Sequence, residues 1–439
     1  PRRLTETGVN SNTHFKGFFC NIRVKEDYEV EPLTNYFVGR VQQDILEGTS
    51  RIGLLTTAVH RRDAESAYAG GVDWDLKFNE EVYNVTGMLA ASRAGAKGER
   101  KSGYIAHLEA DKRGGWLEAE TGFAVLSPDV NINDLGYLQR GDLIRSWVDF
   151  GFYRHAPLGP FLRFDSGLDL ESEWNYDGLR LQTGFGASNW GDLKNYWRVH
   201  LHFGREFAGM DDDDVRRGGV VTKRLAENWV HAQVETDQRK GVWFSVRPEY
   251  RRHDGGRSHA RGLRVSMELR PLPSMWFSIG PSYNHRITDA QWVGSIEDAS
   301  GSHYVYGELD SQTLDFTTRA RMIFAPELSL ELFLQPFIAI GDYGNIKELV
   351  EPETYKFRPY ELNENRDFHR RSLRSNLVLR WEFSPGSTLF VVWSQSRSAS
   401  LDDPTGEDLE FQPFSRLKDS FSDDGDNVFL TKVSYWFGG

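Results

Sequence analysis

Phe429-Leu430-Thr431-Lys432-Val433-Ser434-Tyr435-Trp436-Phe437, close to the C-terminal end, has a period that decides the fold. Phe429, Thr431, Val433, Tyr435 and Phe437 alternate with Leu430, Lys432, Ser434 and Trp436. The same dyad stands upstream, where Leu373, Leu377, Leu379, Trp381 and Phe383 alternate with Arg374, Asn376, Val378, Arg380 and Glu382. Leu263, Val265, Met267 and Leu269 alternate with Arg264, Ser266, Glu268 and Arg270, and Leu328 to Leu334 repeat the pattern. Successive side chains of a strand point to opposite faces of its sheet, so each run has one apolar and one charged face. A helix with charges at every second place would have no apolar stripe. No convincing amphipathic helix longer than about two turns is present, and the chain reads as nearly all β.

Connection lengths give a second pattern. Short turns are expected at Asn79-Glu80, Lys112-Arg113-Gly114-Gly115, Trp190-Gly191-Asp192, Pro271-Leu272-Pro273-Ser274, Ala325-Pro326-Glu327 and Ser384-Pro385-Gly386-Ser387. Long polar connections are expected near 128–141, 207–225, 288–309, 342–369 and 400–426. Short and long connections alternate, as they do in an outer-membrane barrel with short periplasmic turns and long external loops. The expected fold is therefore all-β: a transmembrane antiparallel up-and-down β-barrel of about 20 strands (range 18–22). Nineteen strands are read between Tyr36 and Phe437, and one more around Phe15–Val24 makes the count even. Residues 35–439 are expected to form the barrel. Residues 1–34 are expected to be a strand, a lumenal stretch or the remnant of a removed domain.

The charged face must be the inner one. Twenty strands enclose a lumen too wide for side chains to fill, so a water-soluble barrel with an apolar interior is excluded. A Lys or Arg facing lipid at mid-depth costs roughly 2–4 kcal/mol, and many such terms would exceed the roughly 5–15 kcal/mol stability of a domain. Trp381, Phe383, Trp393, Tyr283 and Tyr250 are expected at strand ends as interfacial aromatics.

Composition agrees. The 439 residues include 52 Lys+Arg against 64 Asp+Glu, a net charge of −12, which disfavours a nucleic-acid partner. One cysteine, Cys20, excludes a disulfide framework and a Cys-ligated metal. No apolar run approaches ~18 residues, so no helical span is expected.

Two segments resemble an uncharacterised family of bacterial outer-membrane barrels: Glu31-Pro32-Leu33-Thr34-Asn35-Tyr36-Phe37-Val38-Gly39-Arg40 with its continuation through Arg61, and the terminal Lys432-Val433-Ser434-Tyr435-Trp436-Phe437. That family is a domain of unknown function that commonly follows a domain similar to carbohydrate-binding module 9. The resemblance implies a barrel in the outer membrane of a Gram-negative bacterium and no established activity. It also implies that Tyr435 and Phe437 form the assembly signal.

Pore-lining cations are expected at Arg163, Arg198, Arg247, Arg251, Arg264, Arg270, Arg319, Arg321, Arg374, Arg380 and Lys432. Pore-lining acids are expected at Asp73, Asp75, Glu109, Glu118, Asp165, Asp169, Glu249, Glu268, Asp315, Glu331 and Glu382. Acids dominate the N-terminal half and arginines the C-terminal half, so opposed walls would set a transverse field. The plain alternative is a wall laced and closed by ion pairs. Asp211, Asp212, Asp213 and Asp214 form a weak metal candidate, calcium in an external loop, although they lack EF-hand spacing, and Asp402, Asp403, Asp423, Asp424 and Asp426 raise the same possibility. His200 and His202 share a face, with His231 and His107 as conceivable partners; ordinary wall histidines are the simpler reading. Tyr304, Tyr306, Tyr343, Tyr355 and Tyr360 could stack on sugar rings or pack a loop plug.

No Gly-x-Ser-x-Gly elbow, Walker loop or His-Glu-x-x-His run occurs, and neither catalytic residues nor a cofactor is expected. The first functional reading is a passive or gated channel for small polar solutes, saccharides among them. The second is a docking barrel with a plugged lumen, and the third an outer-membrane hydrolase. Expected partners are the lipid bilayer with lipopolysaccharide, the barrel-assembly machinery and a protein at the long loops.

Overall fold

The computed structural model describes residues 2–8, 24–62, 64–96, 98–154, 156–401 and 404–437. The fold is all-β. Its antiparallel sheet takes in nineteen strands of nine or more residues and a twentieth of three. No helix among the described residues is long and apolar enough to cross a membrane.

The chain divides into two compact units. The first takes in Pro1–Asp149 with Ser172–Leu179, and the second Phe150–Glu171 with Arg180–Gly439. Along the chain run β1 (Arg2–Gly8), β2 (Val24–Glu31), β3 (Thr34–Ile45), β4 (Ser50–Arg61), β5 (Ala67–Phe78), β6 (Tyr83–Ala94), β7 (Lys101–Lys112), β8 (Leu117–Leu126) and β9 (Leu143–Arg154). β1 and β2 pair only with each other, apart from the large sheet. The strand expected around Phe15–Val24 lies, except for Val24, outside the described residues.

The second unit continues with β10 (Phe161–Trp174), β11 (Arg180–Leu193), β12 (Arg198–Glu206), β13 (Gly209–Asp211), β14 (Thr222–Arg224), β15 (Glu227–Glu235), β16 (Val242–His253) and β17 (His259–Leu272). Then follow β18 (Met275–Asp298), β19 (Gly301–Ala325), β20 (Leu328–Leu349), β21 (Phe357–Pro359), β22 (Phe368–Ser384), β23 (Ser387–Leu401), α1 (Pro413–Asp419) and β24 (Gly425–Ser434).

Register carries the two-faced pattern from strand to strand. Leu269, Phe277, Ala320, Leu332, Leu377, Trp393 and Phe429 are successive partners from β17 to β24, an unbroken apolar row. The neighbouring row Arg247, Arg264, Ser282, Asp315, Phe337 and Ser372 points to the other face. One strand slipped by a single residue would exchange its faces, so agreement across every pair fixes the polarity of the whole unit.

Turns of two to six residues join β3–β4, β5–β6, β7–β8, β11–β12, β15–β16, β17–β18, β19–β20 and β22–β23. The opposite ends carry connections of up to 23 residues, although several of these are short as well. Three expectations need correction. Trp190-Gly191-Asp192 lies inside β11, because the Trp190 ring stacks on His200 at 3.8 Å and holds the strand extended. The reversal comes at Asn195-Tyr196, where Asn195 Oδ1 accepts from Trp197 N at 3.0 Å and Tyr196 takes φ 63°. Residues 288–309 and 342–349 are not loops: β18, β19 and β20 run through them for 24, 25 and 22 residues. A strand needs only ~9–11 residues to cross a bilayer, so these three rise far beyond one. Their β-branched and aromatic residues suit pairing, and Ala299-Ser300 suffices to turn the chain. The third concerns β24, which ends at Ser434 rather than Phe437.

Beyond the spanning ends stands a small water-type core. Val305 and Tyr306 on β19, Ile340 and Leu349 on β20, and Ile338 below them are almost fully buried. Loops 207–226 and 350–367 cover β18–β20 and bind each other through Glu353 N to Val221 O at 2.8 Å. α1 docks Leu417 on Leu314 and Ile338, with Tyr283 and Phe411 packed around it. Tyr283 therefore lies beneath a loop, its ring 5.4 Å from Phe411, rather than in an interfacial girdle.

Candidate functional site

The charged face supplies the candidate site, and the two units build it differently. In the first unit Asp73, Asp75 and Glu109 share one face with Met88, His107 and Thr86 through the registers of β5, β6 and β7. Asp73 and Asp75 are engaged across strands. Arg40 reaches Asp73 at 2.5 Å and Arg51 reaches Asp75 at 3.1 Å. Glu118 accepts from Gly114 N at 2.9 Å, and Glu109 lies 4.0 Å from His107. The two arginine pairs cross strands and stiffen the sheet, whereas Glu118 closes its own turn and Glu109 and His107 lie on one strand.

In the second unit all the expected cations and acids fall on one face. Arg163 contacts Asp165 and Asp192 at 3.6 and 3.0 Å, and Arg198 bridges Asp192 and Glu235 at 3.1 and 3.5 Å. Asp169 meets His202 at 3.3 Å, and Arg251 meets Glu227 at 2.8 Å. Arg247 donates to Gln233 Oε1 at 2.6 Å, and Glu249 accepts from Asn284 at 3.3 Å. Arg380 pairs with Glu382 at 2.9 Å, and Lys432 and Arg380 share a row through Phe390.

Four arginines behave otherwise. Among the described residues, Arg264, Arg319, Arg321 and Arg374 have no carboxylate within 4.0 Å, and all four are exposed. Arg319 lies over the ring of Phe333, 5.6 Å from its centre. Unpaired guanidinium groups need water, because removing one from it costs several kcal/mol. The face that holds them is therefore a wet one.

Near the short turns this face sinks into a cavity of about 900 Å³. Arg239, Lys240, Arg270, Arg319 and Arg321 line it, against the carboxylates of Glu268 and Glu331. Glu268 is already engaged, by Arg270 at 3.5 Å and by the Trp276 indole N–H at 2.9 Å. Glu331 is the register partner of Arg321 yet lies more than 4 Å from its guanidinium.

Higher on the face the histidines form a ladder with tryptophans that sequence reasoning missed. His202 and His231 are register partners. Their ring centres lie 6.5 Å apart, and Trp229 stands 4.5 Å from His202. His200 and His202 are 6.0 Å apart, and His107 belongs to the first unit. No group of three or more metal-ligating side chains gathers among the described residues. Trp229 lies flat because its partner is Gly204, where a Cβ would come within 2.5 Å of the indole. A glycine register-matched to a tryptophan is the signal that could have located it.

Asp211 closes β13, and Asp213 and Asp214 open the short 3₁₀ turn Asp213–Arg217. Asp211 Oδ1 accepts from Asp213 N at 3.0 Å, and Asp214 accepts from the Tyr306 hydroxyl at 3.4 Å. The run is thus tied to the tower formed by the extended ends of β18, β19 and β20. There Tyr355 donates to Asp289 at 2.9 Å, and Lys347 reaches the same carboxylate at 3.2 Å. Burial and the adjoining carboxylates raise the hydroxyls of Tyr306 and Tyr355 well above the usual phenol value. His303 lies 2.5 Å from Glu348 and 3.2 Å from Asp298, and Arg358 also bonds Glu348. The hydrogen bond to Glu348 raises His303 above its ordinary value. Asp298 is drawn down to about 2 by hydrogen bonds from Ser300. Tyr360 packs on His303 at 5.3 Å, so the tower tyrosines Tyr306, Tyr355 and Tyr360 are fixed in its interior contacts. Tyr343 lines a separate cavity of about 480 Å³ with Trp292, Asn365 and Arg370. Tyr304 pairs with Ser295 across β18 and β19.

At the C-terminal end Tyr435 and Phe437 are exposed, their ring centres 4.7 Å apart.

The chain belongs to the family described as domain of unknown function DUF5916, whose model matches residues 19–438. Its fold is similar to that of in-vitro folded OmpT, an outer membrane protein of Vibrio cholerae. Identity is 11% and the TM-score 0.31, over 79% of this chain and 95% of that one. Outer-membrane expressed OmpT of Vibrio cholerae is similar at 11% identity and TM-score 0.26, over 93% and 99% of the two chains. No curated protein matches the sequence.

Proposed function

We propose that this DUF5916 member is a conduit for small polar solutes in the outer membrane of a Gram-negative bacterium, saccharides included among the solutes it could pass. One observation carries the reading: Arg264, Arg319, Arg321 and Arg374 are exposed and, among the described residues, without carboxylate partners on the face opposite an unbroken apolar row. A wall closed by ion pairs would have neutralised them. A hydrated lumen accommodates them, replacing bulk solvation for the solute while fixed charge selects it. The apolar row faces lipid and lipopolysaccharide in this reading, and Tyr435 and Phe437 engage the assembly machinery during insertion. No side chain is assigned to catalysis, and no cofactor is needed.

The test is planar-bilayer conductance of the purified protein. A stable current on the order of hundreds of picosiemens supports a water-filled lumen. A membrane-inserted protein that passes none would replace this reading with a docking barrel. The tower favours that second reading, because its buried core presents a rigid external surface suited to a protein partner.

A further inference from the structure

The geometry points to an oxyanion-binding site at the short-turn end of the charged face, in the cavity where Arg319 and Arg321 stand beside Arg270, Lys240 and Arg239. It deepens the conduit reading and rests on it, assigning the solutes to those that carry a carboxylate or phosphate group.

Arg319 and Arg321 are two apart on β19 and therefore on one face, their Cβ atoms about 7 Å apart. β18 separates them from Arg270 on β17, which places that cation about 10 Å away across the sheet. Three guanidinium groups at such separations surround a volume that suits one small polyanion. Each presents a planar fork of donors matched to carboxylate or phosphate oxygens.

Charge balance makes the same point. Five cations line the cavity against two carboxylates, and Glu268 is spent on Arg270 and Trp276. Arg239 is held in the turn by two 2.8 Å bonds to Asp237 and by the Tyr196 ring, 3.2 Å from its centre. Arg319 touches the Phe333 ring, but among the described residues neither Arg319 nor Arg321 has a carboxylate within 4.0 Å. Phe333, the register partner of Arg319, provides an apolar flank beside it, which strengthens charge contacts by excluding part of the water. Two guanidinium groups without a carboxylate partner among the described residues, set in a concave wall, concentrate anions and repel cations.

The experiment uses the full chain in planar bilayers under a potassium chloride gradient, beside the Arg319→Gln/Arg321→Gln double variant. The wild type should prefer chloride over potassium. Each arginine removed should lower that preference about sevenfold, because one unit charge about 7 Å from the ion in water shifts chloride and potassium about threefold each, in opposite directions. Arg319→Lys/Arg321→Lys should restore selectivity, because it returns the charge. Pyrophosphate and citrate, added singly, should reduce the wild-type current and leave that of the glutamine variant unchanged; whichever blocks more strongly identifies phosphate or carboxylate as the preferred group. A current that prefers potassium, or a selectivity equal in wild type and variant, overturns the oxyanion site while the conduit stands. If no current flows, the conduit reading falls, and calorimetric titration of the detergent-folded protein with pyrophosphate decides the site by itself. Binding lost in the glutamine variant upholds it, and equal heats from both proteins overturn it.

Discussion

The same three strands, β18, β19 and β20, meet two solvents. Near the short turns Ile279 and Phe324 expose 41% and 58% of their surface, whereas Val305 and Ile338 further along expose none. Backbone pairing is continuous through both parts, so the difference is not one of secondary structure. Apolar residues that stay exposed in the lower part need hydrocarbon around them; apolar residues in the upper part must find each other, because water surrounds that part. The upper part consequently has loops, buried aromatics and α1 packed against it, and the lower part has none. One dyad pattern thus serves two opposite burial rules, and in the proposed reading the membrane boundary falls where they change.

The comparison is most sharply broken in the tower. Val305→Asp places an unpaired charge in a fully buried site beside Glu348, and should destabilise the tower by about 3–5 kcal/mol. Limited proteolysis of the detergent-folded protein should then cut within 288–309 while the rest of the sheet stays intact. Resistance equal to wild type would mean that the two parts do not differ in solvent.

A charge on the apolar row of the lower part comes next. Leu379→Arg should cost roughly 2–4 kcal/mol and block membrane assembly, whereas Arg380→Leu, on the other face, should assemble normally. Membrane fractionation reads both, and the reverse outcome would exchange lipid and lumen.

The third test concerns pH and the tower alone. Burial is the largest single influence on Glu348 and would raise it, yet hydrogen bonds from His303 and Arg358 together hold it below its ordinary value. Its contribution is therefore present above the ordinary carboxylate range and is lost as pH falls through the lowered value. His303 is raised, so its contribution is complete below the ordinary histidine value and is lost as pH climbs through the raised one. Hydrogen exchange of tower amides should be slowest between those two limits, and His303→Gln should flatten the alkaline side. An unchanged profile would remove His303 from the network.

The smallest equilibrium effect belongs to Phe437→Ala. Phe437 is 85% exposed, so its loss should move the melting point of folded protein by no more than about 0.5 kcal/mol equivalent. Insertion in cells should fall much further, and equal insertion would end its role as an assembly signal.

Alternation was legible wherever a charged residue stood opposite a leucine or valine, as at Leu379 and Arg380, and it placed every expected wall charge of the second unit on one face. The tower was not legible, because polar-looking stretches such as Ser295-Ile296-Glu297-Asp298 read as loop when each is judged alone. Their strand state comes from pairing with Ser302, His303 and Tyr304, a long-range fact. The Trp190–His200 stack and the Trp229–Gly204 match were hidden for the same reason: register sets which residues oppose each other, and no single strand contains it.

Period-two polarity was enough by itself to settle strand, face and sheet class, since a side chain's direction along a strand follows from local geometry alone. Which arginines remain without a partner, and where the apolar face turns from lipid-exposed to buried, depended on tertiary structure. Those are sums over distances between strands, and the linear chain does not carry such distances.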